Sequence, residues 1–250
     1  MLYLIGIGLA DPEDISVKGL NAVKKCSKIY LENYTSKLAC SKEDLEKFYD
    51  KDIVLANRLF VESADQLLDD AKKYDVALLI IGDPLCATTH WDILQRAKNQ
   101  GITTYVIHNS SVINAIGATG LQVYKFGKTT SMPFPQKHKV ETFYDVLKEN
   151  KSIGAHTLIL LDLDPENNKY LTIPRAIDIL REVEKERQEK LFLPKDLCVG
   201  VARLGFSDQK IFAGTVHEVC EEDFGLPPHA LIVPGKLHFM EEEALKMWQR

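Results

Sequence analysis

The first residues of the chain form an apolar run that stops at two closely spaced glycines. Residues 2–10 read LYLIGIGLA, and Asp11 and Pro12 follow as a helix-start signal. An apolar run of this kind predicts a buried parallel strand that delivers the chain to a ligand at its carboxyl end. Gly6 and Gly8 carry no Cβ, so the backbone can turn sharply there and approach a ligand closely.

The residue after these glycines argues against a phosphate cradle. A dinucleotide-binding turn of the GxGxxG type would have its third glycine where Asp11 stands. A carboxylate at that point repels a pyrophosphate. A nicotinamide-dependent oxidoreductase remains an alternative, in which Glu32 would be the acidic residue expected about 20 positions beyond the turn.

Composition limits the class of protein. With 250 residues the chain can form one large or two ordinary domains, and its net charge of −5 comes with no Lys/Arg block suited to a nucleic acid. No apolar run approaches the roughly 20 residues that span a bilayer, and the amino-terminal residues do not resemble a signal peptide. We therefore expect a cytoplasmic protein without a membrane or nucleic-acid partner. Five cysteines without a CxxC pair predict reduced thiols and no metal site.

Predicted strands and helices alternate along the chain, which indicates an α/β fold in two halves, 1–116 and 117–250. The first half should hold a mostly parallel sheet, and a glycine-punctuated segment, 117–127, separates it from the second. The charged residues 184–190 at the end of a long helix are expected to be solvated, and residues 125–138 are a candidate lid. Besides the strand in the opening apolar run, strands are predicted at 28–31, 53–56, 76–81, 103–107, 130–133, 157–162, 197–203, 210–212 and 230–233.

Three predicted strands of the first half end in loops that should line one crevice, because ligands of open α/β sheets sit outside the carboxyl ends of the strands. These loops are residues 6–11, 82–86 and 109–112. Asp83 stands before a proline and is therefore also a candidate helix N-cap, as is Ser111. A carboxylate beside backbone amides suits a ligand with a cationic centre, hydroxyls or an amino group better than a polyphosphate.

Six segments carry a resemblance that covers nearly the whole chain. They are YLENYTS (30–36), GDPLCATTH (82–90), HNSSVINAIGATGLQVYKFG (108–127), HTLILLDLD (156–164), VGVARLG (199–205) and PPHALIVPGKLH (227–238). These segments are similar to those of the diphthine synthases, a branch of the tetrapyrrole methylase superfamily. The resemblance implies two α/β domains of the tetrapyrrole methylase type, with S-adenosylmethionine bound in the interdomain cleft.

The same resemblance implies which residues touch the cofactor. In the first domain they are Leu9, Asp83, Cys86, Ser111 and Val112. In the second domain Leu161, Leu204 and His229 would meet the ligand from the opposite side. For Leu161 and Leu204 a role as buried core is an alternative, and His229 could simply cap a turn.

The resemblance further implies an enzyme of diphthamide biosynthesis that forms a homodimer. Its protein substrate would be translation elongation factor 2, in which the amino group of a 3-amino-3-carboxypropyl arm on a modified histidine is methylated repeatedly, with S-adenosylhomocysteine as product. Three transfers or four stay open, with four, the last giving a methyl ester, slightly favoured. Another methylase of the superfamily and a non-catalytic cofactor sensor are further alternatives.

No catalytic residue is predicted for the transfer itself. A sulfonium methyl is already a strong electrophile, so the protein mainly has to position the two reactants and exclude water. Repeated transfer to an amine nevertheless requires that protons leave the nitrogen. His90, His108 or His229 could accept them, and the sequence does not choose among these three.

Overall fold

In this computed structural model, which describes residues 1–135 and 140–250, the chain forms two compact units, Met1–Ala115 and Ile116–Arg250. Residues 136–139, which include the last three residues of the candidate lid, lie outside the described residues. Among the residues that are described, no helix is long and apolar enough to cross a membrane.

The first unit contains a five-stranded parallel sheet with the order β3-β2-β4-β1-β5. Its elements are β1 (Leu2–Gly6), α1 (Val17–Lys25), β2 (Lys28–Glu32), α2 (Lys42–Tyr49), β3 (Val54–Ala56), α3 (Arg58–Ser63), α4 (Asp65–Lys73), β4 (Val76–Ile80), α5 (Trp91–Asn99), β5 (Thr104–Ile107) and α6 (Val112–Ala115).

The strand register brings the ends of three strands level. Gly6 of β1 pairs with Ile80 of β4, and Ile5 pairs with Ile107 of β5. β4 is buried along its whole length, as expected of a central parallel strand covered on both faces. The loops after β1, β4 and β5 therefore start from the same edge of the sheet, which is the edge where the sequence predicts a ligand.

Local signals in the sequence explain most of the helices of this unit. α2 begins with a capping box in which Ser41 and Asp44 each accept a hydrogen bond from the other's backbone N–H. α1 presents an apolar stripe to the core, since Ala22 and Val23 are buried and Cys26 ends the helix in the core. α3 was not predicted, and Asn57 begins it by accepting a hydrogen bond from the amide of Phe60.

The second unit contains a mixed five-stranded sheet with the order β11-β10-β12-β7-β6. β6 and β7 are parallel, and the other three neighbouring pairs are antiparallel. Its elements are β6 (Thr130–Met132), α7 (Thr142–Ser152), β7 (Thr157–Leu161), β8 (Leu163–Asp164), β9 (Lys169–Tyr170), α8 (Ile173–Arg187), β10 (Leu197–Ala202), β11 (Lys210–Thr215), α9 (Val216–Glu221), β12 (His229–Val233) and α10 (Phe239–Lys246).

The charged end of α8 is not uniformly solvated, so that prediction is wrong for Glu184. This side chain is buried and accepts hydrogen bonds from the Tyr144 hydroxyl and from the backbone amides of residues 190–192. The carboxylate thereby provides a hydrogen-bond acceptor for backbone amides that follow the end of the helix. A composition argument misses this role, because the partners lie on another helix and beyond the helix end.

A second buried carboxylate fixes α10 to its own unit. Glu241 accepts hydrogen bonds from the amides of Gln122 and His238 and from the Lys125 ammonium, and His156 Nε2 lies 2.9 Å from its Oε1. Gly235 N–H donates to His156 Nδ1, so the proton on that ring is at Nε2 and points at the carboxylate. Burial pulls the pKa of Glu241 upward, but these donors outweigh it and hold the pKa at about 2.

The Glu241 cluster predicts a specific loss of stability in acid. Because its pKa falls from 4.5 in the unfolded chain to about 2 in the folded one, its contribution is complete above pH 4.5 and lost as the pH falls towards 2. We expect Glu241→Gln to lower the free energy of unfolding by about 3 kcal/mol at pH 7 and by less than half of that at pH 3. Urea unfolding at the two pH values measures both differences.

The matched control is Glu243→Gln, which changes an exposed carboxylate of the same helix that pairs with Lys246. It should change the unfolding free energy by less than about 0.5 kcal/mol. An equal loss of unfolding free energy for Glu241→Gln at pH 7 and pH 3 would contradict the lowered pKa of Glu241.

Candidate functional site

The loops after β1 and β4 are joined directly by their glycines. Gly82 N–H donates to the carbonyl of Gly8 at 2.7 Å, and both residues have positive φ, +83° at Gly8 and +84° at Gly82. A Cβ on Gly8 would come within 2.3 Å of Asp14 Cβ. Glycine is therefore required at position 8 both for its backbone conformation and for the close approach of the next turn.

The Asp14 carboxylate occupies the amides that follow Gly8. Its Oδ2 accepts hydrogen bonds from Leu9 N–H at 3.0 Å and Ala10 N–H at 2.7 Å. In a dinucleotide-binding turn, amides at this position would hold a phosphate. Here an internal anion holds them, which argues against the oxidoreductase alternative.

Glu32 does not support that alternative either. It is buried at the end of β2, where its Oε1 accepts a hydrogen bond from Thr35 and its Oε2 lies 3.2 Å from Nε2 of the buried His90. His90 Nδ1 lies 3.1 Å from the Pro84 carbonyl, which can only accept. Both ring nitrogens of His90 therefore face partners inside the protein, and Glu32 is not available to a ribose.

Asp83 is the centre of the edge formed by β4 and β5. Its Oδ1 accepts from Leu85 N–H at 2.9 Å, and its Oδ2 accepts from Asn109 N–H at 3.1 Å and from His108 Nδ1 at 2.8 Å. Burial pulls the pKa of this carboxyl upward, but the two amides and His108 outweigh that effect and leave the pKa below its ordinary value. Asp83 is therefore an anion with most of its acceptor positions filled by the protein.

The predicted helix N-cap at Asp83 is wrong in its detail. Residues 84–86 form a turn, and α5 begins only at Trp91. The carboxylate instead closes a local turn through Leu85 N–H and reaches across to the loop after β5.

Asn109 supplies the second cross-link of this edge, and the sequence did not single it out for this role. Its Nδ2 donates to the carbonyl of Gly6 at 3.0 Å and to that of Asp14 at 2.9 Å. Its own N–H donates to Asp83. One residue thus connects the loops after β1, β4 and β5, and only its place at the end of a predicted strand could have pointed to it.

Ser111 and Val112 begin the short helix α6. Ser111 Oγ accepts from Ile113 N–H at 3.2 Å, and Asn114 Oδ1 accepts in return from Ser111 N–H at 2.9 Å, so the predicted cap at Ser111 is confirmed. A Cβ on Gly82 would lie 3.6 Å from Ser111 Cβ. Cys86 is an exposed residue, and partial desolvation of its thiol raises the pKa of that group.

The structure thus brings the five first-unit candidates, Leu9, Asp83, Cys86, Ser111 and Val112, to one edge of one sheet. Whether they touch a cofactor stays a prediction.

The three second-unit candidates also share an edge. β7 ends at Leu161, β10 ends at Ala202 shortly before Leu204, and β12 begins at His229. Ala202 is paired with His229, and Ala230 with Leu160, so these strand ends are neighbours. Leu161, Leu204 and His229 are all buried, and whether they touch a cofactor likewise stays a prediction.

His229 carries an unsatisfied acceptor. Its Nε2 lies 3.1 Å from the carbonyl of Leu226 and must donate to it, which leaves the lone pair on Nδ1. Nδ1 is buried and has no hydrogen-bond partner among the described residues. Burial lowers the pKa of this imidazole, so the ring is neutral and Nδ1 can accept a hydrogen bond from a hydroxyl or amino group.

Arg203 lies at the same edge, and the sequence did not predict a role for it. It has a positive φ of +52° and donates to the carbonyls of Phe224, Leu226 and Asp208 and to the Asp208 carboxylate. It therefore positions the carbonyl that orients His229. A buried arginine gives no sequence signal of its own.

These features suit a cationic donor with hydroxyl and amino groups. The carboxylates of Asp14 and Asp83 lie at the first-unit edge, and the amides of Leu9 and Ala10 in the Gly8 turn are occupied by Asp14. In the second unit, the unpartnered His229 Nδ1 is an acceptor for a ribose hydroxyl or an amine. Each edge taken by itself therefore carries groups that fit S-adenosylmethionine, whose sulfonium and ammonium groups are positive.

Comparison with known proteins identifies the class. The family model described as Tetrapyrrole (Corrin/Porphyrin) Methylases matches residues 1–220, so the chain belongs to the tetrapyrrole methylase family. This confirms the predicted fold class and the predicted enzyme class, an S-adenosylmethionine-dependent methyltransferase.

Individual relatives place the chain within that family. It is 46% identical to the diphthine methyl ester synthase of Schizosaccharomyces pombe, over 99% of this chain and 94% of that protein. It is 43% identical to a probable diphthine methyl ester synthase of Arabidopsis thaliana, over 100% and 98%. The crystal structure of a putative diphthine synthase from Entamoeba histolytica matches with a TM-score of 0.93 and 41% identity, over 100% and 98% of the two chains. The predicted resemblance to the diphthine synthases is confirmed.

The Gly8 turn predicts the effect of one added methyl group. Gly8→Ala would combine an unfavourable positive φ with a collision at Asp14, whereas Gly101→Ala would meet only the unfavourable φ, because nothing lies within 4 Å of its Cβ. We expect Gly101→Ala to cost about 1 to 2 kcal/mol of stability. Gly8→Ala should cost about 1 to 3 kcal/mol more, because the added group overpacks the turn.

Calorimetric titration with S-adenosylhomocysteine separates binding from stability. Gly8→Ala should weaken binding at least tenfold at a temperature where the protein is fully folded, and Gly101→Ala should leave it unchanged. If Gly8→Ala bound S-adenosylhomocysteine with unchanged affinity, this turn would not be part of the binding site.

Proposed function

We propose that this chain methylates the 3-amino-3-carboxypropyl group of a modified histidine in translation elongation factor 2, a step of diphthamide biosynthesis. The observation that carries the proposal is the similarity over the whole chain to proteins named diphthine methyl ester synthase, at 43 to 46% identity. The geometry adds an edge with two carboxylates, Asp14 and Asp83, which occupy the amides of Leu9, Ala10, Leu85 and Asn109. Both observations favour a cationic methyl donor and disfavour a dinucleotide.

The proposed contacts of the donor are Leu9, Asp83, Cys86, Ser111 and Val112 on the first unit and Leu161, Leu204 and His229 on the second. Asp83 holds the turn at residues 84–86 in place, so this turn presents its backbone rather than the exposed thiol of Cys86. His229 Nδ1 accepts a hydrogen bond that no described residue supplies.

Bound S-adenosylmethionine supplies an electrophilic methyl group on a sulfonium centre. The protein's contribution is to hold the acceptor nitrogen in line with that carbon and to keep water away. Positioning of this kind can supply about 7 to 11 kcal/mol of the barrier in well-oriented cases. The rigid Asp83–Asn109 cross-link provides a fixed frame for it.

We infer the number of methyl transfers from the names of the same relatives. Proteins named methyl ester synthases support a fourth transfer, to the carboxylate, after three transfers to the amine. We propose four for this chain, acting as a homodimer in the cytoplasm, where the translation factor is found.

Incubation with elongation factor 2 tests the proposal. The purified chain, S-adenosylmethionine and factor carrying the 3-amino-3-carboxypropyl histidine should give a product with four added methyl groups, seen by intact mass and located by peptide fragmentation. Factor with an unmodified histidine should gain none. Absence of methylation on the modified factor, with S-adenosylhomocysteine still bound by the enzyme, would refute this substrate.

A further inference from the structure

Amine methylation requires proton transfer, and the first-unit edge contains one histidine arranged to carry it out. A protonated amine has no lone pair, so each of the three attacks by nitrogen needs a neutral amine. On the proposed function, a side chain at the site must take these protons from the acceptor amine.

Of the three histidines that the sequence left open, two are buried. His90 is buried, with Nδ1 facing the Pro84 carbonyl and Nε2 facing Glu32. His229 is buried with a lowered pKa, and a cation formed there would have no carboxylate within ion-pair distance among the described residues. Neither can take a proton from a substrate and pass it readily to solvent.

His108 is arranged differently. Its Nδ1 lies 2.8 Å from Asp83 Oδ2, and since a carboxylate only accepts, Nδ1 carries the proton and Nε2 has the lone pair. The side chain is 67% exposed, whereas that of Asp83 is only 4% exposed. A buried carboxylate thus orients an accessible imidazole, fixes its tautomer and stabilises the cation that forms when Nε2 takes a proton.

The location of this pair links it to the donor site. His108 follows β5 immediately and precedes Asn109, whose side chain ties the loop to Gly6 and Asp14. Asp83 is itself one of the proposed donor contacts. An amine that attacks a methyl group held at this edge therefore has the His108 imidazole on the same rim of the sheet.

We infer that His108, oriented by Asp83, is the catalytic base that accepts protons from the acceptor amine. The neutral amine forms the N–C bond as the C–S bond breaks, and that electron pair stays on sulfur to give a neutral thioether. After the first and second transfers the ammonium product passes an N–H proton to His108 Nε2, whereas the quaternary product of the third transfer has none to lose. The imidazolium then releases the proton to water, and the amine is ready for the next transfer.

The transfer to the carboxylate needs no such help. A carboxylate oxygen attacks as an anion and has no proton to lose, so esterification should not depend on His108. This difference separates a base from a residue that merely maintains the site, because a damaged site would slow both kinds of transfer.

Other titratable groups near this edge do not take the role. The Asp14 carboxylate already accepts hydrogen bonds from two backbone amides. Partial desolvation raises the pKa of the Cys86 thiol, so this group keeps its proton at neutral pH. The Asp83 carboxylate keeps its negative charge because its pKa is lowered.

The test compares His108→Asn with the parent protein. Asparagine places an N–H donor near the position of Nδ1, so it can keep the bond to Asp83, but it has no basic nitrogen. At pH 7 the rate of amine methylation should fall by about a hundredfold, within the range of general-base contributions. Esterification of factor that already carries the trimethylated amine should stay within twofold of the parent.

Raising the pH adds a second readout. As the amine loses its own proton to solvent, the deficit of His108→Asn in amine methylation should shrink at least tenfold between pH 7 and pH 9.5. His217→Asn is the matched control, because His217 is an exposed histidine beside Glu221 in the second unit, remote in sequence from this edge. It should behave as the parent in both transfers.

The outcomes are distinguishable from failure of the proposed function. If the parent methylates the factor and His108→Asn does so equally fast, or loses amine and ester transfer alike at every pH while still binding S-adenosylhomocysteine, the base assignment is wrong. If the parent methylates no modified factor at all, the proposed substrate and the assignment both fall.

Discussion

One buried carboxylate ties together two of the loops that follow strands of the first sheet. Asp83 accepts hydrogen bonds from the amides of Leu85 and Asn109 and from the ring of His108. Without it, three donors would be left without their partner, and each would cost about 1 to 3 kcal/mol if it stayed buried. The shape of the residue 82–86 turn and the orientation of His108 both depend on this group.

Internal carboxylates also explain how a site for a cation can exist beside glycine turns of the kind that often bind phosphate. The anions at this edge are internal ones, Asp14 on the amides after Gly8 and Asp83 on those after β4 and β5. Amides that would otherwise attract a ligand's phosphate are thereby neutralised. A positively charged donor meets an edge whose negative charge is fixed in place.

The sequence predicted the parts of this arrangement that depend on local pattern. Apolar runs ending in glycine or polar residues located β1, β4 and β5 closely, and the rule for ligand sites in open sheets placed their loops together. It could not predict the Asp83–His108 pair, because 25 positions separate these residues and many carboxylates could have been the partner. Asn109 and Arg203 were missed for the same reason.

Local reasoning failed where tertiary contacts override composition. Glu184 lies in a run of charged residues that the sequence predicts to be solvated. It is nevertheless buried, because three backbone amides beyond the helix end need an acceptor. Asp83 has the sequence of a helix cap, yet no helix starts there. In both cases the side chain satisfies backbone groups whose position follows only from the folded chain.

The central claim is that the edge organised by Asp83 holds the methyl donor. A crystal structure of the protein with S-adenosylhomocysteine tests it most directly. The account predicts the ligand against Leu9, the turn at residues 84–86 and the start of α6. A ligand bound elsewhere, with this edge uncovered, would contradict it.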